Sequence, residues 1–147
     1  MNFETNTIIS LIARIHNKAG QFIVSELRKH RISGLAPVHG DILLALFFHT
    51  SATMQDLARL VDRKKSTITT LVEKLIQLGY VKKQKDENDN RVFIISLTEK
   101  GQALKVPLIE ISMSLIHTVY RDIPMEERIQ LVKGLARINN NLKNDSR

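Results

Sequence analysis

One stretch of the chain, residues 51–101, constrains the fold more than any other. It reads SATMQDLARLVDRKKSTITTLVEKLIQLGYVKKQKDENDNRVFIISLTEKG. The pattern predicts a short helix, a tight turn, a helix with a polar face, a basic strand, a polar loop, an apolar strand and a further helix start. Two closely spaced helices followed by one hairpin are typical of a winged helix-turn-helix.

The helical half of this stretch has clear start and stop signals. Thr53 is predicted to cap a helix over residues 54–61, because Asp56 follows three residues later, as in a capping box. A tight turn leads to a helix over about 64–78, and Gly79 ends it. The first of these helices is expected to bury Leu57, Leu60 and Val61.

The second half of this stretch predicts a β-hairpin just as clearly. Residues 82–85 are too basic for a core and predict an exposed strand that leaves Tyr80 and Val81. Residues 86–90 are rich in turn formers. Residues 91–97 predict a second strand with Phe93, Ile95 and Leu97 on one face.

Helices flank this module on both sides. Apolar residues at three- and four-residue steps predict a long helix over 7–30, and Pro37 opens a second over 37–49. After the hairpin, Thr98 is predicted to cap a helix that runs to Asp122, and Pro107 should kink it or shift its start. A last helix covers about 125–142. The fold class is therefore mainly α with one β-hairpin wing, or α+β.

The first, fifth and sixth helices of this prediction carry wide apolar arcs that nothing else in the sequence covers. Soluble monomers rarely expose such patches, so a homodimer built from the two ends is the simplest solution. We therefore expect residues 1–35 and 99–147 to form a helical dimerisation region. Residues 36–98 form the winged helix-turn-helix. The alternative, that these helices bury their arcs within one chain, stays open.

The predicted fourth helix has an unusual polar face. Its core side carries Ile68, Leu71, Val72, Leu75 and Leu78, while Ser66, Thr70, Glu73 and Gln77 lie opposite. Serine and threonine are weak helix formers, so helix propensity does not explain the hydroxyl run over residues 66–70. Short polar side chains do let a backbone approach base edges in a DNA groove. Lys64, Lys65 and the helix N-terminus would then hold phosphates.

Positive charge is concentrated in the same region. The formal net charge is +7, and residues 59–91 carry nine basic and five acidic side chains. A local basic surplus suits a polyanionic partner such as double-stranded DNA. Three lysines in the hairpin are predicted to form a phosphate-facing row, Arg91 to enter the minor groove, and Asp89 to pair with Arg91 and orient it. The lysines are Lys82, Lys83 and Lys85.

These residues resemble the MarR family of bacterial and archaeal transcription regulators. The wing carries the family's D-x-R…L-T-x-x-G pattern as Asp89-Asn90-Arg91 and Leu97-Thr98-Glu99-Lys100-Gly101. The helix carries S-T-V-T-x-L as Ser66-Thr67-Ile68-Thr69-Thr70-Leu71, and Gly34-Leu35-Ala36-Pro37 looks like the family's entry to the second helix.

The resemblance implies a repressor that binds a near-palindromic operator as a homodimer through its terminal helices. It also implies a pocket whose small aromatic or anionic ligand relaxes DNA binding; His16 and His39 are our candidates for lining it. By the same carry-over, Ser66, Thr67, Thr69 and Thr70 are groove residues and Arg91 is the minor-groove residue. Thr70 stands where many members have arginine.

Other kinds of function find little support. The chain has no cysteine, which excludes thiol redox sensing and cysteine-ligated metals. No catalytic triad, P-loop or dinucleotide motif is present, so we expect neither an enzyme nor a bound cofactor. No signal peptide or membrane span is recognisable, which makes a cytoplasmic protein the expectation. Two alternatives remain: a metal-responsive regulator using His30, Asp41 and His117, and a winged-helix interaction module that does not bind DNA.

Overall fold

The structure, a computed structural model, describes residues 7–145 and is mainly helical with one small antiparallel sheet, as predicted. Between residues 7 and 145, none of the helices combines the length and apolar character that crossing a lipid bilayer demands. In chain order the elements are α1 (Ile8–Lys29), α2 (Pro37–His49), β1 (Ser51–Thr53), α3 (Met54–Leu60), α4 (Lys65–Gln77), β2 (Val81–Lys85), β3 (Phe93–Leu97), α5 (Glu99–Gln102), α6 (Lys105–Val119) and α7 (Met125–Asp145).

The sheet has three strands where the sequence predicted two. The hairpin of β2 and β3 is present as expected, and β1 pairs antiparallel with the other side of β3, giving the order β1-β3-β2. Ala52 lies opposite Ile95 in this extra pairing. The wing is therefore anchored by a strand that leads directly into α3.

The chain forms two compact units, one ending at Ser112 and one beginning at Met113. The core of the first unit lies between α2, α3, α4 and the sheet. Its largest side chains are almost completely inaccessible to solvent: Ile42, Leu43, Leu46, Leu57, Ile68, Val72, Leu75 and Ile95. The prediction that Leu60 is also buried is wrong, because α3 ends at this residue and leaves its side chain 43% exposed.

The single helix predicted over 98–122 is two helices, α5 and α6, with residues 103–104 between them. Thr98 caps α5 as expected, since its Oγ accepts a hydrogen bond of 3.1 Å from the N–H of Gly101. Pro107 falls in the first turn of α6, where its missing N–H costs no helical hydrogen bond. The proline therefore shifts the helix start, one of the two outcomes that we expected.

A tight joint connects the end of α4 to the start of α5. Gly79 ends α4 with φ of 79°, in the left-handed region that favours glycine. The hydroxyl of Thr98 donates to the carbonyl of Gly79 at 2.5 Å, and Lys100 Nζ donates to the carbonyl of Leu78 at 2.7 Å. Gly101 packs so closely that a Cβ atom there would lie 2.0 Å from the carbonyl oxygen of Tyr80. Only glycine fits this position.

In the second unit, α7 follows a turn that Arg128 closes. The Arg128 side chain donates to the carbonyls of Ile123 and Tyr120 at 2.7 and 3.1 Å, and its guanidinium lies 5.0 Å from the Tyr120 ring centre. Among the α7 side chains that the structure describes, up to residue 144, none is buried. Four large apolar ones are exposed to about half: Ile129, Leu131, Val132 and Leu135.

Candidate nucleic-acid interface

The helix α4 presents one face to the core and the opposite face to solvent. Ile68, Val72 and Leu75 are fully buried, as the sequence pattern predicted, whereas Ser66 and Thr70 are exposed on the other side. The core face fixes the rotation of the helix about its axis. Because of that fixed rotation, the hydroxyl-bearing face is held outward in one orientation.

The hydroxyl groups on this face fall into two kinds. Thr69 Oγ donates to the carbonyl of Lys65 at 2.9 Å, and Thr70 Oγ donates to the carbonyl of Ser66 at 3.3 Å. Within residues 7–145, the hydroxyls of Ser66 and Thr67 bond to no protein atom. Two hydroxyls are therefore committed to the helix and two are available to a ligand.

The start of α4 has open donors. Lys64 occupies the N-cap position and makes no side-chain capping bond. The first N–H groups of a helix have no partner within the helix, and the helix dipole adds positive character there. With Lys64 and Lys65 both exposed, this end of α4 has the positive character that suits an anion.

The three wing lysines do not form the single row that we predicted. Lys83 and Lys85 lie opposite Ile95 and Phe93, so they share the face of the sheet that also carries the core residues. Lys82 lies opposite Ser96 on the other face. The alternation of side chains along β2 thus places Lys83 and Lys85 together and separates Lys82 from them.

Arg91 lies in the turn before β3 rather than within the strand. The carboxylate of Asp89 accepts a hydrogen bond of 2.9 Å from the backbone N–H of Arg91. The predicted ion pair between the two side chains is absent from the described residues, where Arg91 is exposed. Asp89 therefore shapes the turn through the backbone and leaves the guanidinium of Arg91 available to an external anion.

A cleft of about 360 Å³ lies between α4 and the wing. We call it the wing cleft. Three cations reach it from three elements: Lys65 from α4, Lys83 from β2 and Arg91 from the turn. The Lys83 ammonium lies 4.3 Å from the ring centre of Phe93, a cation–π contact that holds it at the cleft wall. The complete lining is Thr53, Met54, Gln55, Lys65, Thr69, Lys83, Arg91, Val92 and Phe93.

A reciprocal cap fixes Thr53, one of the residues that line the wing cleft. Thr53 Oγ accepts from the N–H of Asp56 at 3.0 Å, and the carboxylate of Asp56 accepts from the Thr53 hydroxyl at 2.8 Å and its N–H at 3.2 Å. These hydrogen bonds lower the pKa of Asp56 below its ordinary value. Because Thr53 belongs to β1 and Asp56 to α3, the cap ties the sheet to the helix-turn-helix.

The two histidines predicted for a ligand pocket occupy different environments. His39 is 7% exposed, and its Nδ1 accepts a hydrogen bond of 2.9 Å from the N–H of Ala36 at the start of α2. Burial lowers the pKa of His39, which keeps the ring neutral and its Nδ1 lone pair available for that bond. His16 is exposed on α1. Neither lines the wing cleft.

The metal alternative finds no site in the described part of the chain. No group of three or more His, Asp or Glu side chains that could hold a metal ion occurs between residues 7 and 145. His30 instead bonds through Nδ1 to the carbonyl of Glu26 at 2.9 Å, in the last turn of α1.

The chain is similar in sequence to known transcriptional regulators. The model of the transcriptional regulator family SarA/Rot matches residues 40–108. The HTH-type transcriptional regulator SarZ of Staphylococcus aureus is 34% identical over 103 residues, which make up 70% of this chain and 64% of SarZ. The chain therefore matches less than two thirds of the length of this relative.

Solved structures share the winged-helix fold over nearly the whole chain. A mutant MarR from E. coli in complex with operator DNA superimposes with a TM-score of 0.80 at 17% identity, covering 92% of this chain and 95% of that one. BpsR from Bordetella bronchiseptica, whose DNA binding is regulated by 6-hydroxynicotinic acid, gives 0.77 at 17% identity over 90% of this chain and 98% of that one. At these identities, the likeness shows the fold alone.

Proposed function

We propose that the chain is a transcriptional regulator of the MarR and SarA type and that it binds a near-palindromic DNA operator as a homodimer. In this proposal α4 enters the major groove, and Ser66, Thr67, Thr69 and Thr70 are its groove residues. Arg91 enters the adjacent minor groove from the wing. Lys64 and Lys65, with Lys82, Lys83 and Lys85 of the wing, bind phosphates.

The wing cleft is the main observation that supports this proposal. Lys65, Lys83 and Arg91 converge there beside the hydroxyl face of α4, and no acidic side chain lines the cleft. A cleft with cations on its walls and no acidic lining favours an anion, so Lys65 and Lys83 would hold a phosphate there while Arg91 continues into the minor groove. A DNA backbone that passes between α4 and the wing supplies that phosphate while α4 reaches the bases.

Dimerisation is supported by apolar side chains that remain exposed in the single chain. On α1 these include Ile8, Leu11 and Ile15, and on α7 they include Val132 and Leu135. Burying such side chains against a second copy removes apolar surface from water, which favours association. We assign residues 1–35 and 99–147 to dimerisation and residues 36–98 to DNA binding.

We further propose that the dimer acts in the cytoplasm as a repressor and that a small aromatic or anionic ligand releases it from DNA. The support is the resemblance to the MarR family, together with BpsR, a protein of the same fold that responds to an aromatic acid. His16 and His39 remain our candidates for lining the pocket. Because His39 is buried, we expect it to act through the start of α2.

Selection from a random DNA pool tests the proposed binding. We expect enrichment of a near-palindrome with half-sites about one helical turn apart, bound by two copies of the chain in sedimentation experiments. The double variant Lys83→Ala/Arg91→Ala should weaken operator binding about 10- to 1000-fold and lower the slope of log K against log salt by about two. Lys133→Ala on α7 is the matched control and should leave both values unchanged.

Three results would contradict parts of this proposal. If no sequence is enriched from the pool, the proposed operator is wrong. If the double variant binds the operator with unchanged affinity, the assignment of the wing to DNA binding is wrong. The ligand proposal is tested by adding simple aromatic acids, including 6-hydroxynicotinic acid, to the protein–operator complex. If none of them changes the operator affinity at millimolar concentration, that part is wrong.

A further inference from the structure

We propose that Thr69 and Thr70 face DNA as hydrogen-bond acceptors only and therefore select, on the strand that they contact, bases that present an exocyclic amino group, adenine above cytosine. This inference rests on the proposed DNA binding and deepens it, because it states which chemistry the α4 face accepts. It concerns these two side chains and does not extend to Ser66 and Thr67.

The two hydroxyls have already used their hydrogen atoms. A threonine hydroxyl carries one hydrogen and two lone pairs, and a backbone carbonyl oxygen can only accept. The threonines are therefore the donors in both contacts, at 2.9 Å from Thr69 to Lys65 and, more weakly, at 3.3 Å from Thr70 to Ser66. What each hydroxyl still offers to a neighbour is a lone pair.

Both positions are accessible to a ligand. Thr70 is exposed near the centre of the face opposite the buried Ile68, Val72 and Leu75. Thr69 is partly exposed and lines the wing cleft. A lone pair beside a phosphate oxygen would be repulsive, so a phosphate in the wing cleft would lie against Lys65 and Lys83 and not against Thr69, and both threonines suit a base edge.

The base edges in the major groove differ in what they offer to an acceptor. Adenine presents the N6 amino group and cytosine presents the N4 amino group, whereas guanine O6 and N7 and thymine O4 only accept. A hydroxyl oxygen whose hydrogen points to the helix backbone is attracted to the amino groups and repelled by the other atoms. The threonine methyl adds a preference, because an adenine–thymine pair also offers the thymine methyl.

Ser66 and Thr67 provide the internal contrast. Within the described residues their hydroxyls bond to no protein atom, so they can turn to donate or to accept. They therefore tolerate guanine or thymine where Thr69 and Thr70 do not. One short face of α4 thus combines two hydroxyls that can only accept a hydrogen bond from DNA with two that can donate or accept.

The test removes single amino groups from the operator obtained by selection. Each adenine is replaced in turn by purine, which lacks the N6 amino group, and each cytosine by 2-pyrimidinone, which lacks the N4 amino group. With the wild-type dimer we expect about a three- to tenfold loss of affinity at one or two positions in each half-site. In Thr70→Val or Thr69→Val, which keep a methyl group, the loss at the matching position should disappear.

Control variants distinguish a failure of this inference from a failure of the proposed DNA binding. Thr70→Ser keeps the hydroxyl and should keep the sensitivity to the missing amino group, while Thr67→Val should not abolish it. The inference is overturned if neither valine variant removes the loss of affinity caused by a missing amino group. It is also overturned if guanine is enriched at the positions that respond to Thr69 and Thr70. In both cases the proposed operator binding remains valid. If no operator is enriched, the proposed function fails and this inference fails with it.

Discussion

The helices α4 and α7 are both amphipathic, yet only α4 has its apolar face covered. Ile68, Val72 and Leu75 of α4 are fully buried between α2, α3 and the sheet. On α7, none of the side chains that the structure describes is buried, and Leu135 is 47% exposed. The contrast teaches that an apolar stripe identifies a contact surface without telling whether its partner lies in the same chain.

The difference also separates two sources of stability. The orientation of α4 follows from the folding of a single chain, so its hydroxyl face is in place before any partner arrives. The apolar surface of α7 is stabilised only when something covers it. Changes near α4 should therefore act on folding, and changes on α7 should act on association.

The largest effect is expected at the joint behind α4. In Gly101→Ala the new Cβ would meet the Tyr80 carbonyl at 2.0 Å, so the backbone must move, and we expect the free energy of unfolding to fall by about 3 kcal/mol or more. Urea denaturation followed by circular dichroism measures it. Gly134→Ala on α7 has open space around the new Cβ and should be about 0.5–1 kcal/mol more stable. If both variants are destabilised equally, the expected difference between the tightly packed Gly101 and the open Gly134 is wrong.

Leu135→Glu is the corresponding test on α7. Because Leu135 is exposed in the single chain, the variant should fold normally, but a carboxylate in an apolar interface should raise the dimer dissociation constant about 100-fold or more. Analytical ultracentrifugation measures the change. Lys133→Glu, also exposed on α7, is the charge control, and a dimer that survives Leu135→Glu unchanged would exclude this surface from the interface.

A smaller effect is expected from the link between α5 and the end of α4. Lys100→Met removes the hydrogen bond to the Leu78 carbonyl and the contact of the ammonium with the Tyr80 ring, at 4.7 Å from its centre. We expect a loss of about 1 kcal/mol in the free energy of unfolding, because the side chain is partly solvated. Lys105→Met, in the first turn of α6, is the control. If both variants unfold at the same urea concentration, Lys100 does not secure α4.

The smallest effect concerns the cap between β1 and α3, and it depends on pH. Hydrogen bonds from Thr53 lower the pKa of Asp56 in the folded chain, so their contribution is present above the ordinary range of an aspartate and is lost as the pH falls through the lower folded value. The difference in unfolding free energy between wild type and Asp56→Ala should therefore narrow between about pH 5 and pH 2. If the difference in unfolding free energy stays constant with pH, the charge of the Asp56 carboxylate does not contribute to the stability of the cap.

Local sequence signals predicted the elements whose causes are local. The stop of α4 at Gly79, the caps at Thr53 and Thr98 and the core face of α4 depend on residues within one or two turns of each other. For the same reason the hydroxyl face could be identified from residues 66–70. These features need no knowledge of the rest of the chain.

What the sequence did not reveal depends on distant partners. The strand β1 is three residues long, too short to show an alternating pattern, and it exists because Ala52 lies opposite Ile95 of β3. The separation of Lys82 from Lys83 and Lys85 follows from the register of the hairpin. The wing cleft likewise joins residues from β1, α3, α4 and the wing, which no spacing rule brings together.

The position of β2 at an edge of the sheet has a second consequence. Its outer backbone groups have no strand partner within the described sheet, and such an edge can pair with a strand of another molecule. Lys82, Lys83 and Lys85 make that pairing electrostatically unfavourable, because two copies would bring like charges together. We therefore expect the lysines proposed to bind DNA also to disfavour edge-to-edge pairing of the wing. A variant without all three should lose solubility as well as affinity.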